Sequence, residues 1–423
     1  HGGSNRVGNG GEEGYDGTSL AAHGVIVVTL NYRLGLLGFF AHPALAAESP
    51  NHSTGNYGLL DQLAALRWVR ENIEQFGGDP NNVTVFGESA GSIDATTLMT
   101  SPLARGLFRR VIAESGPAFG LGPETTLAAA LAVGTAVGQS SAGEAAGGAA
   151  QIEALRKMGA ADVAALEVAV IAAKFKGFDP NASIADGWLI PESPAAAFAE
   201  GKTTDIALLA GLNGRELSAF RLSAAAAAKK SGKPPEEGAL RAAVKKLADA
   251  ARPLYGSWTD LAVGMYLIKM VGQGDVAVDQ ASNDILVACP VGAEAALSTS
   301  AGARAYVYKF DRAVPGPGEA TLGAFHALEL AYVFDTFTSR EWRWLPIQPL
   351  DETLSATMQT YWTNFAKTGD PNSPGLPPWR AWTSEKEDYL EFSRSGEVLP
   401  RRDFSPAFCH LSPERLKQQL GPH

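Results

Sequence analysis

Ser89 stands in Gly87-Glu88-Ser89-Ala90-Gly91, directly after the β-branched run Val83-Thr84-Val85-Phe86 and before an apolar helical stretch. A serine at a strand-to-helix step, flanked by glycines, is carried on a tight turn that lifts its hydroxyl above a sheet. The N-terminus of the following helix then faces the atom being attacked. The chemistry this allows is nucleophilic attack on an acyl carbon. In a chain with 46 glycines the five-residue pattern alone is weak, and the preceding strand and following helix give it its weight.

A serine hydroxyl needs a neutral imidazole to accept its proton. The seven histidines are His1, His23, His42, His52, His326, His410 and His423. Where a serine elbow comes first in the chain, the acid and then the histidine follow it, which leaves His326, His410 and His423. His423 is terminal and His410 lies past the last strand signal. His326 follows a strand ending at Phe310, in Gly323-Ala324-Phe325-His326, and is the candidate base. The acid belongs on a loop after the preceding strand. Ile206 to Gly211 is that strand, and Asn213-Gly214-Arg215-Glu216 follows it, so Glu216 is the first choice, with Asp205 and Asp284 as rivals. A surface carboxylate paired with Arg215 is an equally plain reading of Glu216.

The opening His1-Gly2-Gly3-Ser4 is a glycine-rich turn whose backbone N–H groups can come close to a developing oxyanion. With the N–H of Ala90 it would stabilise a tetrahedral intermediate. No metal or cofactor is needed for such a reaction.

The elements needed to position these groups are legible as a rhythm. Gly24 to Leu30, Val83 to Phe86, Arg110 to Ala113, Ile206 to Ala210 and Ala305 to Phe310 read as buried parallel strands. Leu59 to Phe76 is a clear amphipathic helix, with Leu59, Leu63, Leu66, Val69 and Ile73 on one face and Gly77-Gly78-Asp79-Pro80 as its stop. Alternating strands and helices predict an α/β fold with a mostly parallel sheet covered on both faces. Residues 124–168 and 221–252, rich in alanine, read as surface helices forming a cap near the substrate or as solvated filler. Asp370 to Trp382 reads as an ordered surface loop, and the whole of 1–423 as one domain.

With 45% hydrophobic and 19% charged residues, the 423-residue chain can bury a large core. Its formal charge of −10 argues against nucleic acid and anionic membrane as partners. No apolar run is long enough to span a bilayer, and the start carries no signal-peptide pattern. Cys289 and Cys409 fit no zinc or redox motif, so they read as two free thiols or one long-range disulfide. No feature of the sequence sets an oligomeric state. Asn51-His52-Ser53 and Asn181-Ala182-Ser183 are glycosylation-type triplets, relevant only in a eukaryotic secretory host.

Taken in order, these residues resemble the type-B carboxylesterase and cholinesterase family. The resemblance runs through Asn31-Tyr32-Arg33-Leu34-Gly35, Gly55 to Gln62, Phe76-Gly77-Gly78-Asp79-Pro80, Gly87 to Ser92, Ser115-Gly116, Asp186-Gly187, Gly323 to His326 with Glu329-Leu330, Tyr361-Trp362 and Pro378-Trp379. It implies an α/β-hydrolase fold and hydrolysis of small carboxylic esters through an acyl-enzyme, with Ser89, His326 and Glu216 as the triad and Gly2, Gly3, Ser4 and Ala90 around the oxyanion. It also implies a Cys289–Cys409 disulfide, which would favour the periplasm or secretion. Relatives that serve as adhesion modules usually lack the serine or histidine, and here both are present.

Three departures from the family pattern stand out. Ser4 replaces the third glycine of the oxyanion loop but keeps its N–H. Asn5 stands where the family has an aromatic, which alters the pocket wall. The segment that precedes this loop in the family, including a central strand next to the nucleophile strand, is absent. That predicts a truncated chain with unpaired backbone in its core.

Overall fold

The computed structural model describes residues 1–423 apart from 121–124, 174, 176–178, 180–181, 204–205, 314, 317, 407–408, 410–411, 422–423 and most of 231–274. Asp205, His410, His423, Asn181 and most of the alanine-rich stretch 221–252 lie outside the described residues.

Six strands form a single sheet in chain order: β1 Thr84–Glu88, β2 Arg110–Glu114, β3 Ala207–Asn213, β4 Ala305–Phe310, β5 Tyr389–Phe392 and β6 Val398–Arg401. β1 to β5 run parallel and β6 turns back antiparallel. One row of partners crosses the sheet, Glu88–Glu114–Gly211–Tyr308–Leu390. The carboxyl ends of β1 to β4 are therefore level, and the loops that leave them share one end of the sheet, where open α/β sheets place their ligands.

Alternation along each strand feeds two cores. Val111, Ala113, Leu208, Ala210, Leu212, Ala305 and Val307 face one side, while Ile112, Leu209, Tyr306, Tyr308 and Phe310 face the other. The first side packs against α1 Tyr57–Asn72, α2 Ala90–Met99 and a later helix, Cys289–Ser300. Helices α3 Leu127–Ala142, α4 Gly148–Arg156 and α5 Ala160–Ala172 form the first alanine-rich region, each burying one stripe only. α6 Ser218–Lys230 begins the second region, and α7 is the Cys289–Ser300 helix. On the second side, α8 Leu328–Val333 buries Leu328, Leu330 and Val333, and α9 Pro349–Thr368 buries Leu354, Met358, Tyr361, Trp362 and Phe365. Each such side chain contributes roughly 1.5–3 kcal/mol of transfer free energy. Cys289 and Cys409 are joined as a disulfide with Cα atoms 5.5 Å apart, closing 120 residues. Among the described residues no helix is long and apolar enough to cross a membrane.

Four of the expected strands are present, and β5 and β6 are additional. The expected helix to Phe76 is α-helical only to Asn72, and its last turn, Ile73–Phe76, tightens to a 3-10 helix. The fifth expected strand, Gly24 to Leu30, is not a strand. Among the described residues no backbone hydrogen bond links Val25 to Leu30 to a strand. This segment and β1 instead both line a cavity of about 670 Å³. β-branched composition favours an extended backbone, but a strand exists only where a ladder partner lies within about 4.8 Å.

Candidate active site

The elbow is built by close approach. Ser89 sits between β1 and α2 with φ 56° and ψ −122°, a strained conformation for a residue with a side chain. Its N–H donates to Glu114 O at 2.8 Å, which ties the turn to β2. A Cβ on Gly87 would lie 2.5 Å from the Gly91 carbonyl carbon, and one on Gly116 would lie 2.2 Å from Ser89 O. Only glycine fits at either position, so the turn is locked from both sides.

His326 and Glu216 meet above the carboxyl ends of β3 and β4. An isolated bridge between Arg215 and Phe325 brings their two loops side by side. Glu216 Oε2 lies 2.6 Å from His326 Nδ1, and Glu216 Oε1 accepts the Asn213 N–H at 2.6 Å. The Glu216 N–H donates to Asn283 Oδ1 at 2.8 Å. Glu216 is thus a buried hydrogen-bonded carboxylate, not the surface partner of Arg215, which pairs with Asp279 instead. Phe220 of α6 packs against the imidazole at a tilt of 51°, ring centroids 5.2 Å apart, while remaining 54% exposed. Of the rival acids, Asp284 lies on the helical turn before α7 and accepts from Gln280.

His326 Nε2 faces Glu88 Oε1 at 3.0 Å. Among the described residues no hydrogen bond joins Ser89 to His326, and Glu88, the residue preceding the serine, occupies that side of the ring. Glu88 belongs to a buried group with Glu114, Glu216 and Glu329. Trp362 Nε1 donates to Glu114 at 2.7 Å, and Ser115 Oγ donates to Glu329 at 3.1 Å. Asn213 Nδ2 donates to both Phe325 O and Glu329. Burial raises the Glu88 carboxyl to about 7 and that of Glu114 to about 8. Burial, with Glu88 and Glu216 nearby, also pushes Glu329 well above the usual range. Burial alone would disfavour the imidazolium, but the Glu88 charge and the Glu216 hydrogen bond outweigh it and raise His326 to about 10.

The opening loop lies against the elbow. A Cβ on Gly2 would meet Glu88 O at 2.8 Å and Ser89 Cβ at 3.3 Å, and one on Gly91 would meet His1 O at 2.8 Å. Gly3, Ser4 and Asn5 all have positive φ, at 101°, 55° and 56°. The two with side chains hold strain of about 1–3 kcal/mol each. The Gly2 N–H donates to the Tyr15 hydroxyl at 3.3 Å. The N–H groups of Gly3 and Ser4 make no hydrogen bond among the described residues, and that of Ala90, at the first position of α2, has no acceptor one turn back. Ser89, Glu216, His326, Gly2, Gly3, Ser4 and Ala90 therefore gather at one end of the sheet. Glu88, Tyr15, Phe220 and Asn283 join them without having been singled out in the sequence. Glu88 alone carried a signal, as the variable position of the elbow motif.

The carboxylesterase family model matches residues 1–406. The chain is 37% identical over 396 residues to the para-nitrobenzyl esterase of Bacillus subtilis (strain 168), covering 92% of this chain and 74% of that protein. It is 32% identical over 389 residues to cocaine esterase of Homo sapiens, covering 90% of this chain and 65% of that one. It is 44% identical over 223 residues to fumonisin B1 esterase of Sphingopyxis macrogoltabida, covering 52% of this chain but 39% of that protein. The chain thus spans about two fifths to three quarters of the length of these relatives. A solved para-nitrobenzyl esterase superposes with a TM-score of 0.78 at 32% identity, covering 100% of this chain and 79% of the other. Shared α/β-hydrolase architecture and a match over nearly the whole sequence lead to one conclusion: this chain belongs to the carboxylesterase family.

Proposed function

We propose that the protein hydrolyses carboxylic esters in two acyl-transfer steps with Ser89 as nucleophile, His326 as general base and Glu216 as the carboxylate that orients it. The observation that carries this reading is the 2.6 Å contact between Glu216 and His326 Nδ1, on loops level with the strained serine turn. A carboxylate on Nδ1 fixes the tautomer that leaves Nε2 to take a proton.

Turnover begins from the neutral ring, its Nε2 proton having passed to bulk water, when Nε2 exchanges Glu88 for the hydroxyl of the adjacent residue, Ser89. The hydroxyl proton passes to Nε2 as Oγ bonds to the ester carbon, and the carbonyl oxygen becomes an oxyanion facing the N–H groups of Gly3, Ser4 and Ala90. The tetrahedral intermediate collapses, and the alkoxide leaves with the proton from Nε2 as the alcohol. Water then repeats the sequence on the acyl-enzyme, releasing the acid and restoring Ser89.

Relatives named for para-nitrobenzyl, cocaine and fumonisin esters support small esters as the substrate class, without choosing among them. The Cys289–Cys409 disulfide supports an oxidising compartment, secreted or periplasmic. Steady-state hydrolysis of a panel of aryl, alkyl and feruloyl esters tests the reading. At least one should turn over, and Ser89→Ala should remove that activity while the thermal melt stays unchanged. Undiminished turnover by a folded Ser89→Ala protein would refute it.

A further inference from the structure

The glycine-rich loop faces the elbow in a conformation its own sequence disfavours, since Ser4 and Asn5 both stand at positive φ. Something outside the loop must hold it there, and the contacts converge on Asn5. Its backbone carbonyl accepts the Gly35 N–H at 2.7 Å. Its Nδ2 donates to Asp94 Oδ1 at 3.1 Å. The Tyr32 hydroxyl lies 2.7 Å from His1 O and 3.1 Å from Asn5 Oδ1, its one proton shared between them. On the far side, Asp94 Oδ2 accepts from Gln62 Nε2 of α1. Asn5, Asp94, Gln62 and Tyr32 are all buried.

Asp94 lies on α2, the helix that Ser89 precedes and whose first N–H is that of Ala90. A carboxylate on that helix therefore grips the residue immediately after Ser4. We propose that Asp94 and Asn5 form a buried carboxylate–amide latch, making both positioning residues that hold the Gly2–Ser4 loop in register with the Ser89–Ala90 turn. This deepens the esterase reading and rests on it.

The hydrogen-bond inventory supports the assignment. The two amide donors reach different oxygens of Asp94, Asn5 at Oδ1 and Gln62 at Oδ2, and a carboxamide there would turn its own NH2 toward one of them. Burial pushes the Asp94 carboxyl up to about 6, against the pull of the Asn5 and Gln62 hydrogen bonds. A donor loop that must not reorganise as charge develops benefits from such fixed support.

The inventory also supplies the test, because the pair can be exchanged. Asn5→Asp places two carboxylates together, and Asp94→Asn leaves two donors competing for one oxygen. The double exchange restores a matched amide–carboxylate pair, and the amide oxygen that it places on α2 can still accept from Gln62. Asn5→Gly serves as a milder variant, since it keeps the left-handed backbone and removes only the amide. Each protein is assayed for kcat, for KM and for affinity toward a trifluoromethyl ketone, whose serine adduct carries the oxyanion.

Each single variant should lose about 10- to 100-fold in kcat, less than the 10²–10³ of a deleted oxyanion donor, with KM within about twofold. Ketone affinity should fall by the same factor, and the double exchange should recover most of both losses. Folded single variants with unchanged kcat, or a folded double exchange that recovers nothing, would overturn the latch. A fluorophosphonate reaction on the unaltered protein separates the two levels: if none occurs, the esterase reading itself fails.

Discussion

The two halves of this site are held by different forces. The imidazole and its carboxylate hang from loops at the ends of β3 and β4, strands paired on both sides in the middle of the ladder. Among the described residues, the loop at Gly2 to Ser4 hangs from no strand. It rests on buried side chains, Asn5, Asp94, Tyr32 and Gln62, beside Gly24 to Leu30, which makes no ladder among the described residues, and next to β1, the outermost strand of the sheet. A ladder distributes its support over many backbone bonds, so no one side chain is decisive. A side-chain network concentrates support in a few atoms, so a single substitution there is felt directly by the loop it holds.

The largest effect should come from the ladder-held half, because it carries the proton transfer. His326→Ala should lower kcat about 10⁶-fold and Glu216→Gln about 10⁴-fold, with little change in melting temperature, as read by steady-state kinetics beside thermal denaturation. Equal, small losses from both would mean the pair is structural. The opposite half is probed by Gly3→Ala, whose added Cβ would lie 2.1 Å from Val7 O at a φ of 101°. That loop should shift and kcat should fall about 10²–10³-fold. A comparable collapse in urea stability would show instead that the loop is part of the cooperative core.

Removing the disulfide with Cys289→Ser and Cys409→Ser together should cost up to about 4–5 kcal/mol in urea unfolding at neutral pH. Below the transition kcat should be unchanged, because the bond joins α7 to the C-terminal segment and not to the site. The smallest effect concerns the seam between the halves. Glu88 raises the imidazole toward its charged form, and only the neutral ring can accept a proton from serine. Glu88→Gln therefore lowers the imidazole pKa, and the rising limb of the kcat/KM profile should move to lower pH by about one unit. An unmoved limb would mean that the Glu88 contact is absent in the working enzyme.

Much of the ladder-held half was legible in the sequence, for physical reasons. β3 and β4 are buried on both faces, so they appear as continuous apolar runs. A nucleophile turn leaves two glycines that packing makes irreplaceable. The order of serine, acid and histidine narrows the imidazole to His326. Glu216 is the first choice over Asp205 and Asp284 on the residues alone, but a surface carboxylate paired with Arg215 stands level with that reading, because a carboxylate in a loop looks the same whether it meets a histidine or water. The family resemblance broke that tie and also supplied the disulfide.

The other half was harder to read. Gly24 to Leu30 has strand composition, yet a strand is a property of a pair, and no partner lies beside this segment among the described residues. β5 and β6 are only four residues each, too short for alternation to stand out. Asn5 drew attention as a departure from the family pattern, with a changed pocket wall as the expected consequence. Its buried contact with Asp94, 89 residues later in the chain, depends on a fold that local spacing cannot reveal.

The convergence of hydroxyl, imidazole and carboxylate is tested most directly by intact-mass spectrometry after exposure to a fluorophosphonate, followed by peptide mapping. The account expects one adduct per chain, on the peptide containing Ser89, formed slowly or not at all in His326→Ala. An adduct on another residue, or labelling of Ser89 that proceeds equally fast without the imidazole, would contradict it.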